Sequence, residues 1–124
     1  MKKFAWFLTL ILALSMVLSA CGTAPAATQA APAKVFKVAV VMPSAKNDLA
    51  FSQSMIDALT RVQKEMGADK FEFVYSENMF VVDDAAAAIR DYASKGYDLV
   101  IAHGSQYGSS LQEIAPDFPK TSFA

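Results

Sequence analysis

The chain has 124 residues, with 11 Lys or Arg against 12 Asp or Glu, one His and one Cys, and a net charge of −1. A weakly acidic balance suits nucleic acid poorly, one His rules out a multi-His metal site, and one Cys rules out a disulfide within the chain. There is no basic stripe and no zinc-ligand spacing, so no metal, no cofactor and no nucleic-acid partner is expected.

Lys2 and Lys3 form a short basic start, and residues 4–18 are apolar except for Thr9 and Ser15. That run is too short to span a bilayer comfortably and too uniform to be an amphipathic helix. Leu18-Ser19-Ala20-Cys21 follows, small residues ahead of a lone thiol, which is the pattern of a lipobox. Residues 1–20 are therefore expected to form a lipoprotein signal peptide, with Cys21 as the lipidated residue. Two acyl chains on the thiol, with a third (palmitate, for example) on the new amine, give the double signal that stable anchoring requires. The mature protein is expected on the extracytoplasmic face of the cell membrane. Removing residues 1–20 takes away Lys2 and Lys3 and moves the net charge from −1 to −3. Residues 22–33 are Ala, Thr, Gln, Gly and Pro, with nothing to bury, and read as a flexible, disordered tether; Pro25 and Pro32 oppose an Ala-rich helix.

The folded part is expected over 34–124. Residues 35–42 read as a strand whose second half, Val38-Ala39-Val40-Val41-Met42, is continuously apolar, as in a parallel strand covered on both faces. Residues 43–47 are a loop, and Asn47 or Asp48 can cap the helix that follows. In that helix Phe51, Met55, Leu59, Val62 and Met66 recur every three or four residues, and Gly67 ends it. Residues 71–76 are a second strand. Asp83 or Asp84 starts a second helix over 85–94 that stops near Gly96, and 97–102 is a third strand. Residues 103–108 form a loop, 109–115 a short third helix, and 121–124 the start of a fourth strand.

Strands alternating with helices give right-handed crossovers, a parallel sheet and helices on both faces: a three-layer α/β fold. Ligands bind such sheets at the carboxyl ends of the strands, in the crevice where strand order reverses. Two loops are selected: 43–51 after the first strand and 103–108 after the third.

The mature chain resembles the basic membrane protein family of lipoproteins, the purine-nucleoside-receptor type of ABC transporter substrate-binding protein. The resemblance covers about residues 35–124. It rests on Asn47-Asp48-Leu49-Ala50-Phe51-Ser52-Gln53-Ser54, similar to the family's Asp-x-x-Phe-Asn-Gln helix opening. It rests also on Ala-Ile-Arg-Asp-Tyr-Ala-Ser-Lys-Gly-Tyr-Asp-Leu-Val over 88–100, and on Ala102-His103-Gly104-Ser105-Gln106-Tyr107-Gly108. It implies a type I periplasmic-binding-protein-like fold of two α/β lobes that close on a ligand. This chain holds most of the first half of one lobe, so it looks like a truncated lobe of a protein roughly three times longer. The resemblance further implies a small-molecule ligand of nucleoside type, an ABC permease as partner, and no enzymatic activity.

Phe51 matches the family's aromatic that stacks on a purine ring. Asp48 matches the acid that opens the motif, with capping as its other reading. The family's acid just after the first strand is missing; Ser44 stands in that stretch, and a hydroxyl does not replace a charge. His103, Ser105, Gln106 and Tyr107 line the second loop. A Gln amide offers donor and acceptor, and Tyr a flat face with a polar tip. The rival readings are a ligand-sensing lobe that signals to a membrane partner, and a hydrolase built from His103, Ser105 and Asp48. The hydrolase lacks a Gly-x-Ser-x-Gly elbow, and neither a Walker loop nor a G-x-G-x-x-G follows the first strand.

Overall fold

The computed structural model describes residues 34–124. The signal peptide expected over 1–20, the lipidation expected at Cys21 and the tether expected over 22–33 lie outside the described residues.

Four parallel strands form one sheet: β1 (Phe36–Val41), β2 (Phe71–Ser76), β3 (Leu99–Ala102) and β4 (Ser122–Phe123), in the order β2-β1-β3-β4. β1 is central, with Phe36 opposite Phe71 on one side and Val38 opposite Leu99 on the other. Its apolar second half needs cover on both faces, and it has it: Val38, Ala39, Val40, Val41 and Met42 are all buried. The alternation of side chains along β1 divides the core in two. Val38, Val40 and Met42 pack with Leu59 and Phe71 under α1 (Phe51–Met66). Ala39 and Val41 pack with Ala85, Ile89, Val100, Tyr107 and Ile114 under α2 (Val82–Ser94) and α3 (Gly108–Ile114). The three-layer α/β architecture expected from the alternation of elements is the one found.

Several boundaries differ from the sequence reading, each for a local reason. α1 begins at Phe51, because Leu49 takes a left-handed backbone (φ 57°) that cannot continue a helix. α2 begins at Val82, so Asp83 and Asp84 sit inside its first turn, where acidic side chains favour the helix dipole, and not at its boundary. β3 begins at Leu99, two residues late: the Tyr97 N–H turns back to Tyr92 O (3.3 Å), and the Asp98 N–H reaches Lys37 O (2.9 Å). The loop after β3 contains a 3-10 turn, Ser105–Tyr107, that runs into α3. Gly67 closes α1 as expected; its φ of 90° favours a residue without Cβ, and its N–H returns to Gln63 O (2.9 Å).

Candidate functional site

The strand order reverses at β1: β2 lies to one side, and the chain then crosses to place β3 on the other. The crevice between the carboxyl ends of β1 and β3 is therefore the switch point. The turns around Ser44 and Gln106 leave those two neighbouring strand ends, and His103 joins the two loops. The His103 N–H donates to Val41 O (2.9 Å). The imidazole of His103 stacks on the ring of Phe51, centroids 3.8 Å apart and planes 11° from parallel. His103 Nε2 lies 3.0 Å from Phe51 O. A carbonyl oxygen can only accept, so Nε2 carries the hydrogen. The loop after β2 joins from the other side: Met79 N–H donates to Met42 O (2.9 Å) and Asn78 N–H to Ser44 O (3.2 Å).

Asp48 organises the first loop. Its Oδ1 accepts the backbone N–H groups of Ala50 (2.9 Å) and Gln53 (3.1 Å). Its Oδ2 accepts Ser52 N–H (3.1 Å) and the Ser44 hydroxyl (2.5 Å). Ser44 spends its one proton on Asp48, so Ser52 must donate in the Ser52–Ser44 contact (2.7 Å). The outcome is a one-way chain, Ser52 to Ser44 to Asp48, and it leaves Ser44 one free lone pair. The Ser44 hydroxyl first, then the N–H groups of Gln53, Ser52 and Ala50, hold the Asp48 carboxyl far below the usual carboxylate range.

These facts sort the residues singled out from the sequence. Phe51 keeps about half its surface, 53%, in solvent. Ser44, His103 and Gln106 are half-buried at the crevice and Ser105 is exposed beside it. Two need correction. A carboxylate has about four lone-pair positions, and the four contacts above fill those of Asp48, so it caps the helix from two residues before the boundary and has no acceptor left for a ligand. Tyr107 is fully buried, donating its hydroxyl to Met79 O (2.7 Å) with its ring in the core beneath α2. It braces the loops and offers a ligand no surface. The hydrolase constellation does not assemble either: Asp48 is committed to Ser44 and backbone, and His103 to Phe51.

Three features escaped the sequence reading. Lys46 ties the first loop to the second strand, its N–H donating to Glu77 Oε2 (2.7 Å) and its ammonium to the Tyr75 hydroxyl (2.6 Å). Met79 supplies the carbonyl that satisfies Tyr107. Leu49 and Val81 stand exposed around the rim. The first two are contacts between distant segments with no local pattern. The third was visible as apolar residues within loops.

A family model described as "ABC transporter substrate-binding protein PnrA-like" matches residues 35–124. The chain is 28% identical over 116 residues to the "Transcriptional activator protein med" of Bacillus subtilis (strain 168), covering 94% of this chain and 34% of that protein. Among solved structures, it is similar to an ABC transporter solute-binding protein from Conexibacter woesei DSM 14684, with a TM-score of 0.64 and 27% identity. That match covers 73% of this chain and 28% of the other. It also shares its fold with solute-binding proteins from Aeropyrum pernix K1, with a TM-score of 0.62 and 20% identity over 71% of this chain and 23% of that one. The chain thus spans about a third of the curated relative and about a quarter of the solved structures.

Proposed function

This chain belongs to the Bmp family of PnrA-like ABC transporter substrate-binding proteins, and we propose that it supplies part of the ligand cleft of a lipid-anchored receptor for purine nucleosides. The anchor is Cys21, and the receptor works by capture on the extracytoplasmic face of the membrane. Ligand makes contacts available only in the closed state, shifts the population toward it, and the closed form docks on an ABC permease.

The observation that carries the ligand class is the half-exposed face of Phe51 at the switch point. A flat aromatic face recognises flat rings, and stacking of a base on an aromatic side chain contributes about 1–3 kcal/mol. Around it, Ser44 offers an acceptor, Ser105 a hydroxyl and Gln106 both donor and acceptor, which suits ring nitrogens and sugar hydroxyls. The family's charged contact after the first strand is absent, so recognition at this end relies on stacking and neutral hydrogen bonds.

The test is a calorimetric titration of the full-length mature protein with adenosine, guanosine and inosine, beside ribose and amino acids. Saturable binding of at least one nucleoside, with ribose alone far weaker, is expected. Binding of a non-aromatic solute in preference to all three nucleosides refutes the reading. Residues 34–124 alone bury too little of any ligand, and nucleoside binding weaker than micromolar is expected for that segment.

A second reading has one observation behind it. The Bacillus relative is named as a transcriptional activator, which favours a lobe whose ligand-driven closure signals to a membrane partner. Nucleoside uptake in cells lacking the protein separates the two: uptake falls if it feeds a permease and is unchanged if it only signals.

A further inference from the structure

We propose that His103 is a positioning residue that turns Phe51 into a single-faced platform, so that the cleft takes one flat ring on the outer face of Phe51 and none between the two side chains. The inference rests on the reading that this crevice holds a ligand with a flat ring.

Phe51 is the first residue of α1 and follows the left-handed turn at Leu49, so its own segment supplies little to hold its ring. What holds it comes from the neighbouring strand. His103 is fixed at the tip of β3 by its N–H on Val41 O. Its ring covers one face of Phe51 at 3.8 Å, nearly parallel. Its Nε2–H reaches the carbonyl of the same residue whose ring it covers. That carbonyl also accepts the Ser54 hydroxyl (2.7 Å), which further sets the helix end. Backbone and ring of Phe51 are thus gripped by one imidazole across the gap between α1 and β3. Two rings already in contact leave no room for a third between them, so in a Phe51 that is 53% exposed the other face is the one left for a flat ring to stack on.

The consequence is a pile of three rings in the bound state: ligand, Phe51, His103. His103 acts on the ligand through Phe51. Fixing the platform before the ligand arrives removes the need to order it on binding, which raises affinity with no new contact. A residue that kept the flat ring but not the imidazole nitrogens serves the same purpose; one that kept a polar group without the ring does not.

The experiment uses the full-length protein and has two arms. In the ligand-free arm, Phe51 is ring-labelled with carbon-13 and its relaxation is compared in wild type, H103A, H103Q and H103F. The ring is expected to be ordered in wild type and H103F and mobile in H103A and H103Q. In the binding arm, adenosine, guanosine and inosine are titrated into the same proteins. H103A and H103Q are expected to bind the preferred nucleoside roughly 2- to 12-fold more weakly, the range an aromatic pair accounts for, while H103F stays within about twofold of wild type. Unchanged Phe51 order in H103A overturns the proposal, as does H103F binding no better than H103A. If H103A does not fold, H103F against H103Q decides the same point. If none of the three nucleosides binds wild type, the nucleoside reading falls, and the ligand-free arm still decides what His103 does to Phe51.

Discussion

The two ends of the sheet are built differently. At the amino end two ion pairs stand: the Lys34 ammonium on the Asp98 carboxylate and Lys37 on Glu72 (3.1 Å). Asp98 also accepts Lys37 N–H (3.0 Å), and Lys34 first, then that N–H, holds its carboxyl below the ordinary range. A groove of about 600 Å³ lies there, lined by Tyr97, Phe118 and Thr121 among others. At the carboxyl end the loops are tied to each other and to the strands, yet Phe51 and the rim residues Leu49 and Phe80 face solvent. A concave shape alone would offer the amino-end groove as a site. Topology and chemistry choose the other end, because parallel strands and their following loops converge there with open hydrogen-bonding capacity and a flat aromatic face.

The comparison breaks most sharply at Phe51. F51A in the full-length protein is expected to weaken nucleoside binding by about 1–3 kcal/mol, the contribution of one stacked base, with little change in the urea midpoint because the side chain is half exposed. A calorimetric titration showing equal affinity for F51A and wild type removes the carboxyl end as the ligand face. Tyr107 tests the same end from below. Y107F deletes the hydroxyl that satisfies Met79 O, and a loss of about 1 kcal/mol in urea unfolding is expected, with nucleoside affinity within about twofold once folded. A large loss of affinity with unchanged stability would return Tyr107 to the list of ligand contacts.

Much of the fold was legible, and the reasons are local. The apolar run from Val38 to Met42 marked the central strand because burial on both faces leaves no room for polar alternation. The three- and four-residue spacing from Phe51 to Met66 marked α1, although its two ends, Phe51 and Met66, stay exposed while Leu59 is buried. The parallel sheet with helices on both faces followed from the strand–helix alternation. The site was half legible. Phe51 and His103 could each be picked as crevice residues, but not their stack, which depends on how far α1 starts from β1. Tyr107 was misjudged because loop position and a polar tip suggest a ligand contact. A signal was present: Tyr107, Ser110 and Ile114 fall at helical spacing and are the buried face of the turn and α3. Asp48 was readable as a cap, but the saturation of its carboxylate depends on Ser44 folding back onto it.

Asp48 gives a smaller effect with a defined sign. Its carboxyl is depressed in the folded state by Ser44 and three backbone N–H groups. A depressed carboxyl stabilises the fold above its unfolded value, about 3.9, and that contribution is lost as pH falls toward the folded value. The stability difference between wild type and D48N is therefore expected to be constant from pH 7 to about 5 and to shrink below about pH 4. Urea midpoints across that range check it; a gap that widens on acidification reverses the assignment.

The smallest effect is expected at the amino end, and its smallness is the point. Lys34 is 74% exposed and Asp98 17%, so the pair is screened on one side, and exposed pairs of this kind contribute at most about 1 kcal/mol. K34A should lower stability by no more than that, more at low salt than at high, because screening already weakens the wild-type pair. It should leave nucleoside affinity unchanged, since the groove lies at the opposite end of the strands from Phe51. If K34A instead weakens nucleoside binding as much as F51A, the groove at the amino end takes part in recognition, and the division of labour between the two ends fails. Equal affinity in K34A and wild type, beside a clear loss in F51A, ties recognition to the carboxyl end, where strand order reverses.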